Sequence, residues 1–286
     1  MSRWTALALL ALCATPAQAQ TVGVTAALRN DVRIANPAPH RAVLKERVAL
    51  GNDVVTGAAS AAQLLLLDRT SFSIGANARV RIDRFVYDPA RRASSVGASV
   101  AAGAFRFMSS RALHASPGQS SLRTPTASIG IRGTIIEGVV GADAVRIARG
   151  EALTLPPTLD PETASLIVLR GPGRNAQGTS AGAIDVSAGG ATVALEEAGL
   201  ALFIPGPHQP PIGPFRLSDA GLAALHALLR ATPLPGRGFE WEPNPPTDRQ
   251  FECPGGGGGK GGGKGDPAGG PNGGPAGGAG AGCSAG

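Results

Sequence analysis

The side chains with the clearest chemical potential are arginines spaced along one predicted strand. Between residues 79 and 85 the sequence alternates apolar and basic residues, and Asp88-Pro89 ends the run with a turn signal. Because a strand points successive side chains to opposite faces, the basic residues at 79 and 81 share one face. A guanidinium carries five N–H donors in a planar fork that matches carboxylate and phosphate groups. The candidate ligand-binding residues of this run and of the turn after it are Arg79, Arg81, Arg84, Arg91 and Arg92.

Two interpretations of these arginines stay open. Nine arginines fall within residues 69–123, and the formal net charge of the whole chain is +6. As a binding face, they would attract anionic polymers such as lipopolysaccharide or peptidoglycan. As ordinary solvent-facing strand residues, which is the interpretation we favour, they would only keep the protein soluble. Nucleic acid is not an expected partner, because few aromatic residues are interleaved with the arginines.

A second candidate ligand site is the tripeptide Arg132-Gly133-Thr134. A guanidinium next to a glycine and a hydroxyl can bind an anion, because glycine lets a backbone N–H approach the ligand. The alternative, which we favour, is that Gly130 and Gly133 form bulges in a strand while Arg132 and Thr134 make internal hydrogen bonds.

Catalysis finds no support in the sequence. The four histidines lack the spacing of metal ligands, and no Gly-x-Ser-x-Gly elbow or pair of carboxylates stands out. The glycine-rich run at 255–265 lacks the Gly-Lys-Ser/Thr ending of a phosphate-binding loop. Asp53, Asp68 and Asp83 repeat every fifteen residues, but we interpret them as turn residues rather than metal ligands. We therefore predict a protein that is not an enzyme and holds no metal or cofactor.

The first 19 residues are typical of a signal peptide. Arg3 supplies the positive start, residues 6–14 are apolar, and Ala17-Gln18-Ala19 gives the small-x-small cleavage pattern. Cleavage after Ala19 removes one positive charge. No later segment has 18 uninterrupted apolar residues, so we expect no transmembrane segment in the mature chain. The expected location is the periplasm of a Gram-negative bacterium or the medium outside the cell.

Short predicted strands fill residues 22–216. They recur every 8 to 12 residues between Gly, Asn and Asp turns, which favours an all-β sandwich or a solenoid-like fold. Residues 144–147 are assigned to one of these strands. One helix is predicted over 218–232, with Ser218 as its N-cap and Pro233 closing it.

The rest of the chain, residues 234–286, is predicted to be a disordered tail. Glycine makes up 18 of the 34 residues from position 253 onward, and such a segment cannot bury a core. Cys253 and Cys283 are a candidate disulfide, because both remain after export to an oxidising compartment. This bond would restrain the tail and leave the β core untouched.

Six runs of sequence, in order along the chain, resemble the FecR domain. The first covers residues 51–60 and the last is the stretch Thr124-Pro125-Thr126-Ala127-Ser128 followed by residues 129–134. The four between them are residues 62–67, 68–75, 82–89 and 103–107. Together they span about residues 45–150. The chain is most similar to stand-alone FecR-domain proteins of alphaproteobacteria.

This resemblance implies a β fold in a periplasmic setting. The best-known members of the family are transmembrane regulators of iron uptake, in which a cytoplasmic anti-sigma segment and a membrane helix precede the FecR domain. Here the domain follows a predicted cleavable signal peptide, so the resemblance does not extend to control of a sigma factor.

Two functions from different classes remain. The first is a binding or sensory module of the cell envelope, which meets an envelope protein or an anionic polysaccharide through an edge strand or an arginine-bearing face. The second is a structural or adhesive envelope component, with the β domain as a spacer and the glycine-rich tail as a tether.

Overall fold

The computed structural model describes residues 19–91, 93–114, 120–171 and 182–230, and these residues form seventeen strands and three helical segments. The strands are β1 (Thr21–Arg29), β2 (Val32–Ile34), β3 (His40–Arg41), β4 (Arg47–Ala49), β5 (Asp53–Thr56), β6 (Ala61–Leu66), β7 (Ser71–Ile74), β8 (Arg79–Asp88), β9 (Ala93–Met108), β10 (Ser120–Arg123), β11 (Ser128–Arg132), β12 (Ile135–Val140), β13 (Ser165–Gly171), β14 (Ala183–Ala188), β15 (Ala191–Leu195), β16 (Leu200–Ile204) and β17 (Ile212–Arg216). The helices are the single turn α1 (Arg111–His114), α2 (Ala142–Arg149) and α3 (Asp219–Leu229). The predicted all-β class with a C-terminal helix is confirmed.

Some sequence predictions lie outside the described residues. They concern the signal peptide up to residue 18, Arg92, the tail from residue 234, and the pair Cys253 and Cys283. All of these stay predictions.

Backbone pairing arranges the strands in two sheets that share β9. Sheet A has the order β4–β1–β6–β7–β9–β12–β13–β16–β17 and is antiparallel throughout. Sheet B has the order β3–β2–β5–β8–β9–β10–β11–β14–β15, with one parallel pairing between β9 and β10. Residues 93–102 of β9 pair in sheet B and residues 103–108 pair in sheet A.

Gly103 marks the point where β9 passes from one sheet to the other. Its φ is +79°, and a Cβ there would lie 2.4 Å from the Cα of Ala78. Both the backbone angle and the close approach require a glycine. This residue therefore lets one long strand join the two sheets.

A single hydrophobic core contains side chains from both sheets. Phe72 and Phe107 of sheet A meet edge to face with ring centroids 5.6 Å apart, and Ile82 and Ile129 of sheet B belong to the same cluster. The strands β6 and β8 alternate buried and exposed residues because one face meets this core and the other meets solvent.

A second hydrophobic cluster lies on the outer face of sheet A. Helices α2 and α3 cover this face with residues such as Ile147 and Leu225, which pack with Val139, Val168 and Phe203 of the sheet. Strands β12, β13 and β16 are consequently buried on both faces, which explains their nearly continuous apolar sequences.

The assignment of residues 144–147 to a strand is wrong, because they lie in α2. Three apolar residues in a segment of four do not distinguish a buried strand from a helix. The buried residues of α2 are Ala144, Val145, Ile147 and Ala148, which is helical spacing. Asp143 in the first turn and Arg149 in the last also suit the helix dipole.

Helix α3 begins as predicted, with Ser218 as its N-cap. The Ser218 Oγ accepts a hydrogen bond from the Gly221 N–H at 3.0 Å, and it donates one to Glu151 Oε1 at 2.7 Å. The helix ends at Leu229, earlier than predicted, and Arg230 has an extended backbone. Among the residues that the structure describes, neither α3 nor any other helix is long and apolar enough to cross a membrane.

Candidate anion-binding face

The predicted basic run lies on β8, and a bulge determines which of its side chains point outward. Val80, Ile82 and Phe85 are buried, and the register with β9 shifts between Ile82 and Arg84. A bulge adds one residue to a strand, so two consecutive residues can face the same side. Here Asp83 and Arg84 are both exposed.

Arg79 and Arg81 are engaged by a carboxylate on the neighbouring strand β5. Arg81 Nε donates to Asp53 Oδ1 at 2.8 Å and its Nη2 donates to Oδ2 at 2.7 Å, while Arg79 Nη1 lies 3.8 Å from Oδ2. The hydrogen bonds from Arg81 hold the pKa of the Asp53 carboxyl below its usual value, and Asp53 in turn raises the pKa of Arg81. Much of the charge on these two arginines is therefore already balanced within the fold.

The remaining arginines of the predicted face do not form one cluster. Arg91 is in the turn after β8, is 85% exposed, and its Nε lies 3.6 Å from Asp88 Oδ2. Arg84 lies beside Gly97 on β9. If Gly97 had a Cβ, that atom would be 3.2 Å from the Arg84 Cβ and 3.7 Å from its Nε. Among the members of the predicted set that the structure describes, Arg84 alone lines a depression in the sheet.

This depression lies across the central strands of sheet B and has a volume of about 220 Å³. Gly97 on β9 is paired with Arg84 on β8 and with Ser121 on β10, while Arg123 is paired with the next outward residue of β9, Ser99. Neighbouring strands lie about 4.8 Å apart, so Arg84 and Arg123 approach from strands roughly 10 Å apart. The lining residues are Asp83, Arg84, Gly97, Ala98, Ser121 and Arg123.

The chemistry of the depression suits a small anion. Arg123 is exposed and, within the described residues, makes no ion pair. Ser121 adds a hydroxyl donor, and Gly97 leaves space because it has no side chain. The one acidic lining residue, Asp83, accepts a hydrogen bond from the Ser99 hydroxyl. The space is below the usual 300–1,000 Å³ of small-molecule pockets, so it fits a phosphate or carboxylate group rather than a whole organic ligand.

Arg132 and Thr134 lie away from this depression. Arg132 Nη2 is 3.0 Å from Asp185 Oδ1 and 3.5 Å from Glu196 Oε1. Thr134 is 2% exposed, and its N–H donates to the Ser109 Oγ at 3.1 Å. Gly133 has a φ of +63°. These contacts are the internal ones that the alternative interpretation of the tripeptide predicts.

The three regularly spaced aspartates have separate partners. Asp53 binds arginines, and Asp83 binds Ser99. Asp68 is buried and accepts hydrogen bonds from the hydroxyls of Thr70, Ser94 and Ser110 at 2.8, 2.7 and 3.0 Å. Ser94 lies at the start of β9, in sheet B, and Ser110 follows its end, in sheet A, so Asp68 links the two ends of the strand that joins the sheets. Within the described residues, no group of three or more His, Cys, Asp or Glu side chains is placed to hold a metal ion.

A charged cluster that the sequence did not reveal lies beneath α3 on sheet A. Glu137 is 2% exposed; Arg106 Nε donates to its Oε1 at 2.6 Å, and Arg170 Nε lies 3.5 Å from its Oε2. The Nε2 of His226, on α3, lies 3.1 Å from the same Oε2. This buried carboxylate with three cationic or polar partners joins the helix to the sheet.

The alternation of buried and exposed residues could have identified Ser121 and Arg123 as outward-facing. No pattern in the sequence could have identified the charged cluster around Glu137. Ser121 and Arg123 flank the buried Leu122, so the pattern places both on the outer face of β10. Glu137 and His226 are 89 residues apart, and no local pattern relates them.

Comparison with known proteins identifies the domain that carries this face. Residues 52–152 match the family model described as FecR protein. The chain contains a FecR domain. All six residues that line the depression fall inside the matched FecR segment.

Other comparisons are more distant. Two crystal structures of a protein from Parabacteroides distasonis, described as a "putative anti-sigma factor", are similar at 12% identity, with TM-scores of 0.36 and 0.34. The similarity covers 56% of this chain and 57% of the other chain, so it spans little more than half of that protein's length. No curated protein matches the chain.

Proposed function

We propose that this protein is an exported, non-enzymatic binding or sensory module of the cell envelope that recognises anionic groups on the outer face of sheet B. The observation that carries the proposal is the depression between Arg84 and Arg123. On three adjacent strands it combines the guanidinium groups of Arg84 and Arg123, the Ser121 hydroxyl and the space left by Gly97.

The charge arrangement separates this site from the other arginines of the face. Arg79 and Arg81 share the Asp53 carboxylate, and Arg91 is next to Asp88. An incoming anion would have to compete with those carboxylates. At Arg123 it meets an exposed guanidinium that no described carboxylate already balances, so binding requires no broken ion pair there.

The shape of the surface favours an anionic group that is part of something larger. The depression is open and shallow, and no described helix covers this face of sheet B. An open face admits one phosphate or carboxylate of a polymer while the remainder stays outside. Phosphates of lipopolysaccharide and carboxylates of peptidoglycan have this chemistry, as does an acidic patch on a partner protein.

The FecR domain supports a sensory or regulatory role for such recognition. A site built on β8, β9 and β10 is rigid, because central strands are held by hydrogen bonds on both sides. Binding there would position a partner with little movement of the domain itself.

Co-sedimentation with purified envelope fractions tests the proposal. The Arg84→Ser/Arg123→Ser variant should lose about tenfold in affinity for each guanidinium removed, a loss on the scale of a charge-assisted hydrogen bond. The matched control is Arg146→Ser/Arg216→Ser, which removes the same charge from α2 and β17. Binding by the wild type should also weaken as salt rises, because exposed charges are screened within about 10 Å at 0.1 M salt.

Two results would contradict the proposed site. One is an equal loss of binding in the control variant, which would indicate a net-charge effect. The other is binding that is indifferent to salt, which would favour pairing at an edge strand instead.

Export is tested separately. We expect cell fractionation to recover the protein from the periplasm, and mass spectrometry to find an N-terminus at Gln20. A cellular pool that keeps Met1 would contradict export.

A further inference from the structure

The turn between β3 and β4 presents two large aliphatic side chains to solvent. Val43 is 62% exposed and Leu44 is 58% exposed. Turns usually carry Gly, Asn, Asp, Ser or Pro, which suit both the backbone and the solvent. Here the residues at the tip are Val43, Leu44 and Lys45.

Many hydrogen bonds hold this turn in one conformation. The Glu46 N–H donates to the Val43 carbonyl at 3.2 Å, and the Lys45 N–H donates to the Thr25 carbonyl at 2.8 Å. The Thr25 hydroxyl donates to the Val43 carbonyl at 2.6 Å and accepts from the Glu46 N–H at 2.9 Å. The aliphatic tip is therefore fixed outward rather than free to fold back onto the core.

The backbone of the turn is strained to achieve this. Lys45 has a φ of +64°, at the position of the turn where glycine is the usual residue. A chain with 42 glycines places a lysine there. A lysine at this position places a cation beside the aliphatic tip.

Cationic residues flank the aliphatic tip along the chain. Arg41, Lys45 and Arg47 are all exposed. The only acidic residue of the turn, Glu46, faces inward: it accepts from the Val43 N–H at 2.9 Å and lies 2.6 Å from Nε2 of His40. The surface thus combines a small apolar point with a positive rim.

We propose that this turn, which we call the 42–46 tip, docks on the surface of an anionic phospholipid bilayer. Val43 and Leu44 would enter the boundary between headgroups and acyl chains, while Arg41, Lys45 and Arg47 would lie among the lipid phosphates. Long basic side chains can keep their charged ends at that boundary while their stems cover apolar surface.

The form of the tip favours a membrane over a protein groove. The turn joins β3, at the edge of sheet B, to β4, at the edge of sheet A. It lies at an edge of both sheets, so a flat surface can reach it without meeting their faces. The tip also precedes the FecR match at residues 52–152, which makes this inference independent of the proposed function.

The test is sedimentation with lipid vesicles, using the chain from Gln20 onward, which keeps every described strand and helix. Vesicles contain phosphatidylcholine alone or with about one third phosphatidylglycerol, and wild type should bind only the second kind. The Val43→Ser/Leu44→Ser variant should bind these at least about tenfold more weakly, because burial of an aliphatic side chain changes a partition constant by this order. Val86→Ser, at an exposed valine on β8, is the matched control and should bind like wild type.

Two further variants separate insertion from simple charge attraction. Lys45→Asn keeps a residue that tolerates the positive φ while removing the charge, and should weaken binding several-fold with no loss of melting temperature. In Leu44→Trp, the indole emission should shift to the blue when anionic vesicles are added.

Three results would overturn the proposal. Absence of binding to either kind of vesicle overturns it and leaves an acidic, apolar groove on a partner protein as the occupant. Equal binding by wild type and Val43→Ser/Leu44→Ser also overturns it, because attachment would then use other basic residues. A Leu44→Trp emission that stays unchanged excludes insertion of the tip.

Discussion

The outer faces of sheet A and sheet B both carry arginines, but the described helices α2 and α3 cover only the face of sheet A. On sheet A, α2 and α3 cover the strands, and the buried Glu137 holds Arg106 and His226. On sheet B no described helix covers the central strands, and Arg84 and Arg123 face an open depression. On sheet A a buried carboxylate therefore holds the arginine in place, whereas on sheet B the exposed Arg123 makes no ion pair within the described residues.

This difference shows that the sequence pattern of a strand does not determine the role of its arginines. What matters is whether a helix covers the face on which the arginine lies. Arg106 on β9 and Arg123 on β10 both follow a buried residue in their strands. The partner of Arg106 is Glu137 on β12, which is buried beneath α3 and also contacts His226 of that helix. Four changes to the molecule test this comparison, from the largest expected effect to the smallest.

Leu225→Ala should have the largest effect on stability. Leu225 is fully buried between α3 and sheet A, so the free energy of unfolding should fall by about 3 kcal/mol. Urea denaturation measures the change. Leu67→Ala, at an exposed leucine following β6, is the control and should stay within about 0.5 kcal/mol of wild type. Equal losses would mean that α3 does not cover the sheet as described.

Glu137→Gln should cost about 2 kcal/mol, because it replaces charge-assisted hydrogen bonds in a buried position while keeping the size of the side chain. The same denaturation experiment applies, with Glu196→Gln as a control at an exposed carboxylate. A neutral result would show that Glu137 contributes no net stability to the docking of α3.

Much of sheet B could be predicted from the sequence, because its exposed face imposes alternation. The buried residues Val80, Ile82 and Phe85 follow from this pattern, and so does the helix cap at Ser218. Residues 144–147 of α2 were assigned to a strand, because a short and mostly apolar segment fits either structure. The bulge at Asp83 and the pairing of Arg123 with Ser99 depend on contacts between strands, which one-dimensional periodicity does not encode.

Asp53→Asn should cost about 1 kcal/mol at pH 7, since the guanidinium of Arg81 is half exposed and partly screened. Folding lowers the pKa of Asp53 below its usual value of about 3.9. The contribution is therefore complete above about pH 5 and is lost as the pH falls through the lowered pKa. Unfolding curves for the variant and the wild type should converge in strong acid. A difference that grows on acidification would contradict the assigned pair.

Truncation after Thr232 should have the smallest effect on stability. The glycine-rich sequence beyond it offers little apolar surface to bury, so the melting temperature should change by no more than about 1 °C. Scanning calorimetry of the full and shortened chains provides the measurement. A loss of several degrees would reveal a docking role for the tail, for example through Phe239 or Trp241.

The most direct test of the central comparison measures stability and anion binding side by side for Arg106→Met and Arg123→Met. Arg106→Met should lower the free energy of unfolding by about 3 kcal/mol, because it leaves a buried carboxylate with weaker partners, and the folded protein should still bind envelope fractions. Arg123→Met should stay within about 0.5 kcal/mol of wild type and bind about tenfold more weakly. If Arg123→Met instead unfolds as readily as Arg106→Met and keeps full binding, the outer face of sheet B is structural and the account is wrong.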